Sequence, residues 1–219
     1  MWYNNCMEIK NLLAAVCVVA AGVVFADSTP VMVSLVNPLQ VPSSSYDVEG
    51  LRLSLIYGQC ANLTGLDIGI VNNTRSDFAG VALGGANIAG GKMRGGQIGL
   101  VNVNKNAISD WGSRSIGAQI GLVNYANSFC GVQDGVVNVS SKDFSGLQSS
   151  FLNTTGSLQG AQLGFYVIFA VNVADRVTGC QIGLVNYAGY VDSGLQIGLV
   201  NINKGNGWAP VLPIVNGGF

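Results

Sequence analysis

The chain contains no histidine. That excludes Ser-His-Asp and Cys-His catalysis, histidine general bases and His-containing zinc sites. Surface lipases or proteases built on barrels and relying on histidine go with them. Outside the N-terminal segment the thiols are Cys60, Cys130 and Cys180, an odd number without CxxC spacing. Neither a disulfide framework nor a metal site follows from them. The run Gly84-Gly85-Ala86-Asn87-Ile88-Ala89-Gly90-Gly91-Lys92 superficially suggests a phosphate loop. It lacks Gly-Lys-[Ser/Thr] and leads into no helix, so it reads as a repeat and its turn. Asp47 with Glu49, and Arg75 with Asp77, fall in turns and read as solvated loop charges. No catalytic residue, cofactor or metal is expected.

Arg52 and Asp67 are more informative, because they occupy the same position of neighbouring repeats. That position belongs to an octapeptide, GLQIGLVN from Gly194, GCQIGLVN from Gly179, GAQIGLVN from Gly117 and GGQIGLVN from Gly95. Decayed copies start at Gly160, Gly146, Gly131, Gly80, Gly65 and Gly50. Successive motif glycines are separated by 15, 15, 15, 22, 14, 15, 14, 19 and 15 residues. An array of this kind is one repeat-built domain.

Each copy alternates with period two. Leu195, Ile197 and Leu199 point one way, and Gln196, Gly198 and Val200 the other. The third position carries Arg52, Asp67, Ala82, Gln97, Gln119, Gln133, Gln148, Gln162, Gln181 and Gln196, nearly all polar. A helix cannot keep those two sets apart, and the glycine load opposes one as well. The chain is therefore all-β. On a shared face Arg52 and Asp67 would form a cross-strand ion pair. Such a pair fixes register or, in a pore, acts as a weak selectivity element.

Composition places this sheet in an unusual setting. Of 219 residues, 49% are hydrophobic and only 10% charged, with a formal net charge of −1. Ordinary soluble domains carry about 25% charged residues. Nothing basic marks a nucleic-acid footprint, so no nucleic acid is expected. Lys10 precedes an apolar run from Leu12 to Phe25 that ends in Val24-Phe25-Ala26. We read residues 1–26 as an export signal and 27–219 as a single β domain.

Two architectures suit such strands. The favoured expectation is an antiparallel up-and-down barrel of about twelve strands in the outer membrane, a structural protein or narrow passive pore. Arg52, Asp67, Gln97, Gln119, Gln133, Gln148, Gln162, Gln181 and Gln196 would then face the lumen, with Leu and Ile towards lipid. Three features favour it. A segment such as Phe144 to Thr154 matches the 9–11 residues of a tilted membrane strand. The long fourth and eighth connections would share one rim. The apolar ending Trp208 to Phe219 resembles the C-terminal signal of bacterial outer-membrane barrels, apart from Pro210 and Pro213. Aromatics at strand ends (Phe78, Phe129, Phe144, Tyr125, Tyr187 and Trp208) read either as layer-closing residues or as an interfacial girdle. Asp134 and Ser149, on the would-be lipid face, count against the barrel. The alternative is a β-solenoid with the apolar face inward and Gln outward, an adhesin or binding module acting through its Gln/Asn face. Membrane lipid is the expected partner, and the sequence names no protein partner.

The GxQIGLVN repeats, the opening GLRLSLIYG and the ending PxLPIVNxxF resemble a family of exported bacterial surface-repeat proteins. The resemblance covers nearly all of the chain after the signal. It implies export to the surface or envelope and brings no catalytic residue with it.

Overall fold

A computed structural model describes residues 28–106, 114–164, 170–205 and 208–218. The segment read as an export signal, residues 1–26, and the terminal Phe219 lie outside them. Fourteen strands are described: β1 (Ser28–Val36), β2 (Leu39–Val41), β3 (Asp47–Cys60), β4 (Leu63–Thr74), β5 (Phe78–Ala89), β6 (Met93–Asn104) and β7 (Ser115–Ile120), followed by β8 (Val123–Ala126), β9 (Phe129–Asp134), β10 (Val137–Ser150), β11 (Leu152–Gly164), β12 (Val171–Ile182), β13 (Val185–Asn203) and β14 (Val211–Gly218). They are arcs of stacked coils, each coil one repeat. From β1 through β13 every coil pairs in parallel with the next, and motif glycine sits on motif glycine: Gly65 on Gly80, Gly80 on Gly95, Gly160 on Gly179. The molecule is a β-solenoid.

This overturns the barrel. An up-and-down barrel needs antiparallel neighbours, and only β1–β2 and β13–β14 are antiparallel here. The outer-membrane strand reading falls with it. The two long connections share no rim either. The described residues that flank them, Asn104 with Ser115 and Gly164 with Val171, stand at different points of the coil.

Identical repeats explain the choice. Parallel, in-register stacking sets each residue on its own counterpart, so amides meet amides and glycines meet glycines. Gly95 has φ +128°, and a Cβ there would lie 2.0 Å from the carbonyl oxygen of Gly80. Only glycine allows the backbones to stack that closely at this bend. At the second motif glycine, a Cβ on Gly99 would strike the Gly84 carbonyl oxygen at 2.2 Å.

The apolar core occupies one side of the interior. Leu63, Phe78, Met93, Phe129, Phe144, Leu158, Val177 and Val191 form one buried column, against Cys60, Ala89, Ala126, Ala174 and Ala188. The Phe129 and Phe144 rings stack with centroids 6.3 Å apart. These phenylalanines, like Phe78, are core and not an interfacial girdle, because each precedes its motif glycine by two residues on the inward side. Both ends of the stack close with reversed strands. β2, bounded by Pro38 and Pro42, lies antiparallel on β1, and β14, with Pro213, lies antiparallel on β13. Reversed, proline-bearing edges discourage further strand addition.

Candidate functional site: an amide-braced interior and an aliphatic outer wall

The expected lumen-facing residues do point inward, and there they fill the coil and bond to one another. Gln97, Gln119, Gln133, Gln148, Gln162, Gln181 and Gln196 are all buried. Each Gln from Gln119 onward donates its Nε2 to the Oε1 of the Gln one coil earlier, at 2.7–2.9 Å. The ladder crosses the 22-residue interval at 2.9 Å and the 19-residue interval at 2.8 Å. Several of these amides also brace the coil. Gln119, Gln181 and Gln196 donate to the carbonyls of Tyr125, Tyr187 and Ile202 across the interior, at 3.3, 3.2 and 3.0 Å.

A second ladder went unread in the sequence. The asparagine that ends the octapeptide is buried in coil after coil, at Asn72, Asn87, Asn102, Asn124, Asn138, Asn153, Asn172, Asn186 and Asn201. Each through Asn186 donates Nδ2 to the Oδ1 of the next, at 2.8–3.1 Å. The same Nδ2 reaches a carbonyl of the following coil, as Asn72 to Leu83 at 3.0 Å and Asn186 to Ile197 at 2.9 Å. The signal was present in the sequence as a repeated Asn, but alternation alone gives it no side, because a coil corner separates it from the Gln. Buried amides satisfied in this way carry no desolvation debt.

Arg52 and Asp67 come together as expected, at the start of the Gln column. Both are buried. The Arg52 Nε donates to Asp67 Oδ1 at 2.8 Å and its Nη2 to Oδ2, a bidentate pair. Its Nη1 donates to the Asn73 carbonyl and to Cys60 Sγ, both at 2.9 Å. Burial pushes the Asp67 carboxyl above the usual carboxylate value, against the pull of Arg52. Burial likewise pushes the Cys60 and Cys180 thiols up, which disfavours the thiolate that nucleophilic chemistry needs. The pair lines no channel and reaches no solvent, so it acts as a structural tie.

The solenoid alternative had the faces reversed. Gln is inside and the aliphatics are outside. Along one outer face and its adjoining corner run columns that include Leu66, Ile68 and Ile70, Ile98 and Leu100, and Ile197 and Leu199. Ile70, Leu100 and Leu199 are 58%, 60% and 65% exposed. The Gln side chains take the inward slots, so the alternate residues of the strand, mostly aliphatic, form the outer face. A Gln/Asn face for recognition is therefore not available.

The next arc of the coil also carries outward aliphatics, among them Val101, Val123 and Leu152. At the far corner the Asp47 carboxylate accepts from the Asn62 backbone and side chain at 3.0 and 2.9 Å, and the Asp77 carboxylate accepts from the Lys92 backbone at 2.8 Å. A shallow groove of about 370 Å³ beside it is lined by Thr64, Phe78, Lys92 and Arg94 among others. Among the described residues no three His, Cys, Asp or Glu side chains converge to hold a metal ion, and no helix is long and apolar enough to cross a membrane. No protein-family model matches the chain, and neither a curated protein nor a solved structure does.

Proposed function

We propose that the chain is an exported bacterial surface protein, a non-catalytic β-solenoid that binds its partner through the aliphatic outer wall. The observation that carries this reading is the wall itself. Contiguous exposed apolar patches beyond a few hundred Å² are rare on soluble monomers and mark interaction surfaces. Leu66, Ile68, Ile70, Ile98, Leu100, Ile197 and Leu199, 38–65% exposed, belong to aliphatic columns repeated along the stack. Export is supported by Lys10 and the apolar run from Leu12 to Phe25, and kinship with exported surface-repeat proteins by the GxQIGLVN octapeptide. A non-catalytic role is supported by the absence of histidine and by the burial of Arg52, Asp67 and Cys60.

The test pairs the wild type with Leu100→Lys and Leu199→Lys, both at the exposed corner. Retention on a phenyl matrix and capture on intact cells should fall in both variants while far-ultraviolet dichroism stays unchanged. Retention and capture equal to wild type would remove the wall from the function.

A further inference from the structure

Resting on the reading of the aliphatic wall as the binding surface, we propose that its occupant is a second copy of the same wall, related by a two-fold axis lying along the strand direction. Such an axis keeps strand direction and reverses coil order, so one coil of each copy faces a different coil of the other. Three features of the wall select the register.

The first is its polar break. The outward column holding Ile98 and Ile120 continues with Asp134 and Ser149, paired in adjacent coils, before returning to Leu163, Ile182 and Ile197. An axis midway between those two coils sets Asp134 of each copy against Ser149 of the other. A hydroxyl then donates to a carboxylate at both symmetry-related positions, as an isologous interface requires. An axis along the solenoid would instead oppose Asp134 to Asp134, carboxylate to carboxylate.

The second is size matching in the same register. Counting the coil of Gly50 as the first, coil 3 then faces coil 10, and coil 4 faces coil 9. Leu199, the most exposed large hydrophobic side chain of coil 10, comes over Gly85 of coil 3. Cys180 of coil 9 comes over Gly96 of coil 4, where a Cβ would meet nothing within 4 Å. Ile98 meets Ile182, and Ile120 meets Leu163. Large side chains sit over glycines and aliphatics over aliphatics.

The third is area. Ten layers, from coil 2 through β14, overlap in this register. At about 4.8 Å per layer and about 16 Å of strand across the wall, each copy covers roughly 800 Å², the size of a standard stable interface. A lipid surface fits the wall less well. Its outward columns hold no Lys or Arg to meet anionic headgroups, place a carboxylate at mid-face, and have Phe151 as their one aromatic among the described residues.

Sedimentation equilibrium on the mature chain, without detergent, tests this. The wild type should be a dimer at micromolar concentration. Ile98→Lys, inside the overlap, should weaken it by at least about tenfold, and Leu53→Lys, in coil 1 outside the overlap, should leave it unchanged. Ser149→Asp should also weaken it, by opposing carboxylates, and adding Asp134→Lys should restore it. Dichroism confirms that each variant is folded. Equal weakening by Ile98→Lys and Leu53→Lys, or no restoration in the double variant, overturns the register. A monomer that floats with phosphatidylcholine vesicles overturns the dimer and leaves the binding wall standing. A monomer bound by neither vesicles nor a phenyl matrix overturns both.

Discussion

Coils 1 and 2 differ from coils 4 to 10 at one inward position, and the difference shows what the interior demands. In the later coils the position is Gln, a neutral amide that donates to one neighbour and accepts from the other. In the first two it is Arg52 and Asp67, which close on each other and on the Asn73 carbonyl. Between the two solutions stands Ala82, buried, with no amide to pass on. Both solutions satisfy every donor they can. They differ in how they fail. A Gln ladder loses one rung at a time, whereas an ion pair loses everything when one partner goes.

The comparison breaks most sharply at Asp67→Ala, which leaves the Arg52 guanidinium buried without its counter-charge. We expect a loss of about 3–5 kcal/mol. Since each coil contacts only its neighbours, the loss should appear first as hydrogen exchange in β3 and β4, with β11 to β13 still protected. Gln133→Ala, in mid-ladder, strands the Gln119 acceptor and the Gln148 donor. It should cost about 2–3 kcal/mol in urea unfolding, less than the ion-pair variant because both stranded groups are neutral. The double change Arg52→Gln with Asp67→Gln converts the first solution into the second. It should be neutral or stabilising by about 1 kcal/mol, and a loss as large as that of Asp67→Ala would show that the pair is not interchangeable with a rung.

The same double variant reads the pair's pH dependence. Burial raises the Asp67 carboxyl above its ordinary value, so the folded state holds that proton more tightly than the unfolded chain does. Its contribution to stability is complete below the unfolded carboxylate value and is lost as pH rises through the folded one. The Tm of the wild type relative to the double variant should therefore fall as pH is raised from acid across that window. A relative Tm that rises instead would mean that Arg52 outweighs burial.

The strands and their two faces were legible because alternation is a local property. Gln196 and Ile197 cannot share a side of one strand. Closure was not legible from alternation, since a barrel lumen and a solenoid interior make the same demand on Gln. The barrel reading fails on its architecture, and the solenoid reading has the architecture but put Gln on the outside, where the structure buries it. What separates the two is the identity of Gln119, Gln133 and Gln148 across copies, which acts only when counterparts stack in register. The ring-bearing residues misled for a related reason. Phe129 and Phe144 lie at strand ends in sequence, but a coil has no ends, and its turn positions fold inward. Asn138 carried no sidedness until the corner after Gly135 was known.

The two ladders run in opposite senses, Gln donating towards the N-terminal coils and Asn towards the C-terminal ones. Each leaves one acceptor unpartnered, at Asn72 Oδ1 at one end and Gln196 Oε1 at the other. The cost of termination is thus fixed, while every added coil contributes one rung to each ladder. Duplicating or deleting a whole repeat changes the length of the stack and leaves its chemistry at both ends intact. Gene-level repeat gain and loss should accordingly be tolerated in multiples of one coil and in no smaller step.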